Sequence, residues 1–357
     1  MNLNPNELSI SFFDAQGGDA VWIRYRGNDH LWHNILIDGG YIGSYDEIFK
    51  PVLDAISQSG EFVDLWIITH IDLDHIGAVI SFIADKTHNE NQELIKLFWF
   101  NHAEFRMPSL GGKVGYKQGI ALRSYLENTG KLLKEKITIE TGTVDFYGLE
   151  LTLLGPTLEK IAAADLDWNK REVKGGAKIS RRQSDHHKKI EEFTATEFTE
   201  NADIVNGSSI IFLLKFKSVR GLFLADGHPS DAVNGLKTLG YTKENPIKVN
   251  FVKVSHHGSK NNTSPELLTF IDTAVYVISA NGISNKHPDK ETMARILHHH
   301  QQNGRGLEFK YTSGTDQIRS IFNSDENPEQ RFNFIQTFIE EEHPAIILNY
   351  PALNNSI

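Results

Sequence analysis

The stretch Ile67–Val79, IITHIDLDHIGAV, places four polar side chains directly after an apolar run. His70, Asp72, Asp74 and His75 fall within six residues of one another. Charged groups crowded at the end of a buried strand cost desolvation free energy, so they need a positive partner. Imidazoles and carboxylates are the groups that hold divalent metal ions in proteins. The stretch therefore predicts a metal site where a strand ends and a helix begins.

Three other apolar segments also end on a side chain that can bind a metal. They are NILID (residues 34–38), GLFLAD (221–226) and NFVKVSHH (250–257). In α/β proteins ligands bind at the carboxyl ends of the strands, so segments that are distant in sequence can meet there. Without these companions, the acidic stretch could be only a solvated helix N-terminus, where aspartate interacts favourably with the helix dipole. The predicted ligands are His70, Asp72, Asp74, His75, Asp226 and His256 or His257.

The donor set contains nitrogen and oxygen only, because the chain has no cysteine. Such a set suits zinc or manganese. Two ions about 3.5–4 Å apart, bridged by a carboxylate and a water, would account for so many ligands. Two such ions also lower the pKa of the bridging water to about 7. We therefore expect two divalent metal ions, Zn or Mn, as cofactors.

Composition describes an ordinary globular protein of 357 residues, with 39% hydrophobic and 23% charged residues. This length suits one large α/β domain or two small ones. The net charge of −10 argues against a protein that coats nucleic acid through a broad basic surface. No apolar run reaches the ~20 residues needed to cross a bilayer, and the N-terminus lacks the pattern of a signal peptide. We therefore expect a cytoplasmic protein that does not enter a membrane.

The order of elements predicts a β-meander followed by alternating strands and helices. We expect one domain over residues 1–315, with an insert at about 157–205 and a C-terminal extension at 316–357. The extension contains the apolar stretch RFNFIQTFIEEEHPAIILNYP (331–351). This stretch could pack on its own domain or bind a second subunit or another protein.

The insert is strongly basic over residues 170–189, which contain eight lysines and arginines and two acidic residues. One interpretation is a flap that contacts phosphate groups. A flexible surface excursion is an equally good interpretation. The basic residues are Lys170, Arg171, Lys174, Lys178, Arg181, Arg182, Lys188 and Lys189.

The motif HIDLDH resembles the HxHxDH signature of the metallo-β-lactamase-fold hydrolases, with Asp72 in place of the second histidine. FFDAQGGDAVWI, ILIDGG, FLADG and VSHHGS accompany it in order, and Asn206 with Ser209 matches an N-x-x-S element. Together these motifs are similar to one branch, the hydrolase domain of the ComEC-type DNA-uptake proteins and their soluble relatives. The resemblance covers roughly three quarters of the chain.

The resemblance implies an αββα four-layer sandwich with a metal site at one edge, between its two sheets. It also implies that His70 and Asp72 face a first metal and that Asp74 and His75 face a second. Asp226 would bridge the two ions. One histidine of the pair 256–257 would complete the second metal, and we favour His256 because it lies nearer the end of the strand.

The resemblance further implies residues that support the metal ligands. Asp38 would orient the metal ligands through hydrogen bonds without binding a metal itself. Asn206 and Ser209 stand where most members of the fold carry a further histidine, which leaves the first metal with few protein ligands. Asp14 and Asp19 would shape the neighbouring loop.

The most favoured function is a metallohydrolase that cleaves phosphodiesters in DNA, RNA or nucleotides by metal-hydroxide attack. Asp74, Asp226 and His287 are the predicted catalytic residues, with Asp74 as acceptor of the nucleophile's proton and His287 as donor to the leaving group. His287 could equally be a histidine at a helix entry. An acyl hydrolase acting on a lactone or thioester is the alternative, as is an effector or binding module that a partner activates.

Four further residues are predicted to contact substrate: Lys253, Lys260, Asn101 and His102. The lysines favour a phosphate substrate, because an acyl substrate needs no cationic surface. The run His298–His300 resembles a metal site, but consecutive residues on a helix point in different directions. We expect it to be a solvated helix end.

Overall fold

The first sheet contains the predicted N-terminal β-meander. In a computed structural model, which describes residues 7–89, 93–102, 114–171, 183–194, 196–340 and 344–351, three antiparallel strands are followed by two parallel ones. These strands are β1 (Leu8–Phe13), β2 (Ala20–Arg26), β3 (Trp32–Asp38), β4 (Val63–Ile68) and β5 (Phe98–Phe100).

The second sheet forms from the remainder of the chain. Its strands are β6 (Thr143–Phe146), β7 (Leu149–Gly155), β8 (Ile211–Phe216), β9 (Val219–Phe223), β11 (Phe251–Lys253), β13 (Val275–Ile278), β14 (Leu307–Tyr311) and β15 (Phe334–Phe338). The short strands β10 (Ile247–Lys248) and β12 (Ile271–Asp272) pair with each other. The strand β16 (Ala345–Tyr350) joins the first sheet. The spatial orders are β16-β1-β2-β3-β4-β5 and β15-β14-β13-β11-β9-β8-β7-β6.

The helices cover the outer faces of both sheets. They are α1 (Lys50–Gln58), α2 (Leu73–Ala84), α3 (Lys86–Asn89), α4 (Val114–Asn128), α5 (Leu158–Arg171), α6 (Ile204–Gly207), α7 (Pro229–Thr238), α8 (Pro265–Thr269), α9 (Lys290–Gln302), α10 (Asp316–Arg319) and α11 (Pro328–Phe332). In the part of the chain that the structure describes, no helix combines the length and the apolar character needed to cross a membrane.

The layers follow from the two-residue period of the strands. On β4, Leu65 and Ile67 face the second sheet, whereas Trp66 and Ile68 pack under helices of the first layer. Phe12 of β1 contacts rings of the opposite sheet at centroid distances of 6.0 Å (Phe223) and 5.7 Å (Phe251). The predicted αββα sandwich is confirmed, with an apolar layer between its sheets.

The carboxyl ends of five parallel-running strands reach the same edge of the sandwich. In the first sheet these are β3 and β4, which pair in parallel; in the second they are β9, β11 and β13. Asp38 is the last residue of β3, and His70 lies two residues beyond β4. Asp226 follows β9, and the pair His256–His257 follows β11. This edge therefore holds the segments from which the metal ligands were predicted.

The predicted extension contributes one edge strand to each sheet. β15 pairs in parallel with β14, with Leu307 opposite Phe334. β16 pairs antiparallel to β1, with Leu8 opposite Tyr350. The apolar stretch thus packs on its own domain. A homodimer or another protein partner that binds through the extension stays a prediction.

Only part of the predicted insert is described. It contains α5, a 3-10 turn at Ile190–Phe193 and α6. Lys188 and Lys189 are exposed. The other basic side chains lie outside the described residues, so the phosphate-contacting flap stays a prediction: Lys170, Arg171, Lys174, Lys178, Arg181 and Arg182.

Candidate metal centre

The structure brings the four polar residues of the opening motif to the start of α2. Asp72 is the residue before the helix, and Asp74 and His75 lie in its first turn. The side chains of His70 and His75 are completely buried, whereas that of Asp72 is 47% exposed. Asp72 lies at the mouth of the site, with its Oδ2 3.7 Å from His70 Nε2.

Asp226 lies at the centre of the cluster. Its Oδ1 is 3.4 Å from His75 Nε2, and its Oδ2 is 3.9 Å from His70 Nε2 and 3.7 Å from His257 Nε2. The residue is almost fully buried. Both oxygens of this carboxylate thus face imidazoles, and Asp226 lies near all three of the buried histidines.

Asp38 holds His75 in one orientation. Its Oδ2 accepts hydrogen bonds from His75 Nδ1, at 2.8 Å, and from Thr69 Oγ1, at 2.8 Å. Its Oδ1 accepts a third from the Thr69 backbone N–H. With the proton on Nδ1, the lone pair of His75 Nε2 points at the cluster. A carboxylate that accepts a hydrogen bond from the imidazole is the usual support for a metal-binding histidine.

The two neighbouring histidines at the end of β11 differ in their surroundings. His257 is buried, and its Nδ1 donates to the carbonyl of Ser279 at 2.9 Å. That hydrogen bond leaves His257 Nε2 as the donor atom, 3.3 Å from Asp74 Oδ2. The sequence favoured His256 as the ligand of the second metal. The structure instead places His257 next to Asp74 and Asp226, because the left-handed turn after β11 directs the second histidine inward.

His256 lies nearer to solvent, with its side chain 20% exposed. The amide of Asn262 fixes its tautomer: Asn262 Nδ2 donates to the carbonyls of Asp226 and Gly227, so its Oδ1 must accept from His256 Nδ1, at 2.9 Å. His256 Nε2 then faces Asp226 Oδ2 at 3.6 Å. His256 therefore borders the cluster on its open side.

Four residues around the site adopt the left-handed backbone conformation, which non-glycine residues rarely take. They are Asp38 (φ 54°), Ala225 (φ 42°), His256 (φ 48°) and His257 (φ 53°). Such conformations cost free energy and persist where the surrounding structure holds them, often at functional sites. Here they turn the chain sharply at three strand ends and direct side chains toward one point.

Glycine in the QGGD segment allows a loop to approach the cluster closely. A Cβ on Gly18 would lie 2.2 Å from the carbonyl oxygen of Asp74. The next residue, Asp19, donates its backbone N–H to that same carbonyl at 3.1 Å. The loop thus fixes the first turn of α2 from the opposite side, as expected for Asp19. Asp14 lies at the start of the same loop, and its backbone N–H donates to the carbonyl of Pro344 at 3.5 Å.

Several buried polar atoms that face the cluster make no hydrogen bond. They are His70 Nε2, His75 Nε2, His257 Nε2 and Asp226 Oδ1. Buried polar atoms are nearly always paired, so four such atoms around one point indicate a missing partner. Once the imidazoles have lost their extra protons, three nitrogen lone pairs and a carboxylate oxygen would fit a divalent cation such as zinc or manganese.

Two overlapping groups of side chains could each hold an ion. Within each group the donor atoms lie within 4.8 Å of one another. The groups are His70, His75 and Asp226, and Asp74, His75 and His257. A third combination, Asp19, Asp38 and His75, is equally compact. In this third combination, however, Asp38 Oδ2 and His75 Nδ1 are already hydrogen-bonded to each other. We therefore infer that it supports the metal ligands and does not hold an ion itself.

Opposite charges dominate the electrostatics of the centre. Burial alone would raise the pKa of the Asp226 carboxyl, but the imidazoles of His256, His257 and His75 outweigh it and hold that pKa well below its usual range. Burial likewise opposes the charged form of His257, yet Asp226, Asp19 and Asp74 raise its pKa to about 10. Asp226 and Asp38 raise the pKa of His75 well above its usual value despite burial. The metal-free centre is therefore a set of paired ions.

These pKa shifts predict that metal uptake releases protons. At pH 7 the imidazoles of His75 and His257 hold protons in the metal-free protein, because their pKa values are raised, and a metal ligand must be deprotonated. We expect about two protons to leave per chain, and the apparent affinity for Zn²⁺ to rise with pH between 6 and 9. Titration calorimetry in buffers of different ionisation enthalpy measures both quantities. An affinity that is independent of pH would contradict the assignment.

Asn206 lies in α6, and Ser209 follows that helix. Asn206 Nδ2 is 3.3 Å from His256 Nδ1, and its backbone N–H donates to the side chain of Asp203, which caps α6. Asn206 Oδ1 and Ser209 Oγ are buried without a hydrogen-bond partner. Asn206 thus borders the centre through His256, and the role of Ser209 stays a prediction.

The four residues predicted to contact substrate are engaged elsewhere. Lys253 is buried and forms an ion pair with Asp19, because its strand directs it into the space between the sheets. Lys260 is half exposed but pairs with Glu291 at 3.2 Å. The prediction that these lysines present cationic groups to substrate is not supported by their positions.

The polar residues after β5 have structural partners as well. The Asn101 amide makes two hydrogen bonds of 2.8 Å to the backbone of Ile137, one through each of its polar atoms. His102 Nε2 lies 3.3 Å from the carbonyl of Leu133. Asn101 also lines a small crevice beside His70, so its contact with substrate stays a prediction.

His287 lies at the rim of the centre. It is buried, and its ring centroid is 5.2 Å from that of His256 and 6.4 Å from that of His257. Its Nδ1 is 3.7 Å from Asp289 Oδ2. This position is compatible with the predicted role toward a leaving group. The sequence offered no signal for Thr69 or Asn262, which support the centre through hydrogen bonds.

Comparison with known proteins agrees with the fold. Residues 18–107 match the family model of the metallo-beta-lactamase superfamily. This segment carries β2 to β5 and the opening motif. With the two facing sheets and their outer helices, it gives the chain the metallo-β-lactamase fold. None of the curated proteins matches the chain in sequence.

Solved structures similar to the chain include a mutant of the β-hydroxylase CmlA, at 13% identity and a TM-score of 0.42. That match covers 98% of this chain but 55% of the other, so the chain spans about half the length of the hydroxylase. The metallo-beta-lactamase fold protein YhfI from Bacillus subtilis is similar at 9% identity and a TM-score of 0.44, over 96% of this chain and 100% of that one. The relation to the ComEC-type branch stays a prediction.

Proposed function

We propose that this protein is a metal-dependent hydrolase with a two-metal centre, and that its substrates are phosphodiesters of nucleic acids or nucleotides. The observation that supports it most is the pair of overlapping donor groups around Asp226, in which the Nε2 atoms of His70, His75 and His257 and Asp226 Oδ1 lack hydrogen-bond partners. A pair of divalent ions bound there would supply an activated water and neutralise the charge that develops on the reacting oxygens.

The metal-binding and supporting roles are assigned to particular residues of the chain. His70, His75 and Asp226 would hold one ion, with Asp72 available at the mouth; Asp74 and His257 would hold the other. Asp226, whose Oδ1 faces His75 and whose Oδ2 faces His70 and His257, would help to hold both ions. Asp38 keeps His75 in the binding tautomer.

Asp74 is better suited to holding a metal than to accepting a proton. Burial would raise the pKa of Asp74, but His257 and His75 outweigh burial and lower it to about 2. A carboxylate with so low a pKa is a weak general base near neutral pH. We therefore assign Asp74 to binding, and we retain His287 as the donor to the leaving oxygen.

Phosphodiester hydrolysis draws support from the two-metal arrangement, which suits in-line displacement at phosphorus. It also draws support from Asn206 and Ser209, the elements shared with the DNA-uptake branch. The burial of Lys253 and the Lys260–Glu291 pair weaken it, because they remove two cations from the described surface of the cleft. This observation favours an acyl hydrolase, acting on a lactone or thioester, as the second candidate.

A substrate panel coupled to metal analysis tests the proposal. The purified protein, loaded with Mn²⁺ or Zn²⁺, is incubated with bis(p-nitrophenyl) phosphate, single-stranded DNA and a thioester. We expect two ions per chain and turnover of the phosphodiesters. Turnover of the thioester alone would establish the acyl alternative. A metal content of one or zero per chain without any turnover would favour an effector or binding module that a partner activates.

A further inference from the structure

The end of the insert contacts the segment that carries His287. His186 donates from Nε2 to the carbonyl of Pro288 at 2.9 Å. Pro288 is the next residue after His287. A side chain from the insert thus holds the backbone one residue away from the candidate donor to the leaving group.

The neighbouring residue Asp185 caps the helix that follows. Asp289 is the residue directly before α9, and its side chain makes no capping hydrogen bond to that helix. Asp185 accepts instead from the backbone N–H groups of Lys290, at 2.8 Å, and Glu291, at 3.1 Å. Free N–H groups at a helix start need such acceptors, and here a distant segment supplies them.

A buried ion pair fixes this end of the insert on its other side. Lys290 and Asp325 pair with both side chains completely buried. Lys290 Nζ also donates to Ser324 Oγ at 2.6 Å, and the Ser324 hydroxyl contacts the carbonyl of His186 at 3.0 Å. Asp325 Oδ1 accepts from the backbone N–H of Ile190 at 2.8 Å. Three chain segments are therefore joined directly behind the His287 turn.

The turn that carries His287 is one that needs support. Asn285 (φ 50°) and Lys286 (φ 59°), the two residues before it, both adopt the left-handed conformation. Two consecutive non-glycine residues in this region persist only where contacts hold them. Backbone hydrogen bonds from Gly282 N–H to the His287 carbonyl, at 2.9 Å, and from His287 N–H to the Ser284 carbonyl, at 3.3 Å, close the turn. The hydrogen bond from His186 holds the residue that directly follows His287.

We infer that His186 is a positioning residue for His287: through the Pro288 carbonyl it holds the His287 ring against the leaving oxygen of the substrate. The inference rests on the proposed function only for the identity of the reaction. It gives the C-terminal end of the insert a role in the site, distinct from contact with phosphate.

Leaving groups of different basicity test the inference. His186→Ala, His287→Ala and the double variant are compared on methyl p-nitrophenyl phosphate and methyl phenyl phosphate. Phenol needs a donor more than p-nitrophenol does, so His186→Ala is expected to lower kcat for the phenyl ester about tenfold or more. The p-nitrophenyl ester should change less than about twofold, with KM unchanged for both esters. The double variant should be no slower than His287→Ala alone.

His187→Ala is the matched control, since His187 is the adjacent histidine and is exposed. A second readout uses ¹⁵N-histidine NMR of the metal-free protein, in which the ring signals of His287 should move in His186→Ala and stay in place in His187→Ala. If the wild type cleaves no phosphodiester, the proposed function fails, and the NMR comparison still decides the positioning role. Unmoved ring signals, or equal losses on both esters, would overturn the inference.

Discussion

Replacing Asp226 with asparagine is expected to abolish the metal centre. The carboxylate faces His70, His75 and His257 from the middle of the cluster, and an amide cannot bridge two cations as a carboxylate does. We expect metal content to fall from two ions to at most one per chain. Metal ions contribute several kcal/mol of transition-state stabilisation, so hydrolysis should fall about a thousandfold or more.

Asp231→Asn provides the matched control for this experiment. Asp231 is buried on the same segment, five residues further on, and pairs with Lys160 outside the metal groups. Elemental analysis and initial rates are measured on both variants, with circular dichroism to verify folding. A folded Asp226→Asn protein that keeps both ions and its activity would refute the bridging assignment.

Asp38→Asn is expected to have the second largest effect, although Asp38 need not touch a metal. Its carboxylate accepts from His75 Nδ1, from the Thr69 hydroxyl and from the Thr69 backbone N–H. An amide at this position offers one acceptor atom for three donors. Loss of such support typically weakens metal binding by about 10–100-fold. Competition with a chelating dye for Zn²⁺ measures the change.

The chain contains a second buried aspartate–histidine pair that serves as the control. Asp64 Oδ2 is 3.1 Å from His33 Nδ1 and also accepts from the backbone N–H of Asn34. Asp64→Asn should therefore lower stability in a similar way while leaving the affinity for Zn²⁺ unchanged. Equal losses of affinity in the two variants would mean that Asp38 acts through general stability alone.

Most of the fold could be predicted from the sequence, because the strand ends carry the motifs. Asp38, His70 and Asp226 each follow an apolar segment, and strands that run in parallel bring such residues to one edge. The edge strands β15 and β16 were harder to anticipate. Each is a short apolar segment, and whether it pairs with its own sheet or with a second chain depends on contacts that are distant in sequence.

Within the site, the sequence predicted residue types better than orientations. Adjacent residues such as His256 and His257 are equivalent in a motif, and only the left-handed turn decides which one points inward. Lys253 resembled a ligand for phosphate, but the strand carries it toward Asp19 of the opposite sheet. His300 was expected in a solvated helix end, yet it is buried against Tyr276, with its Nε2 3.0 Å from the tyrosine hydroxyl.

The ion pair between Lys253 and Asp19 has a consequence for how this protein can vary. One partner belongs to each half of the sandwich, and the donor atoms of the centre are divided between the same two halves. The spacing of the two proposed metal sites would therefore depend on how the two halves pack against each other. Substitutions of buried aromatic residues such as Phe12, well away from any reacting atom, should therefore alter turnover by changing how the two halves pack.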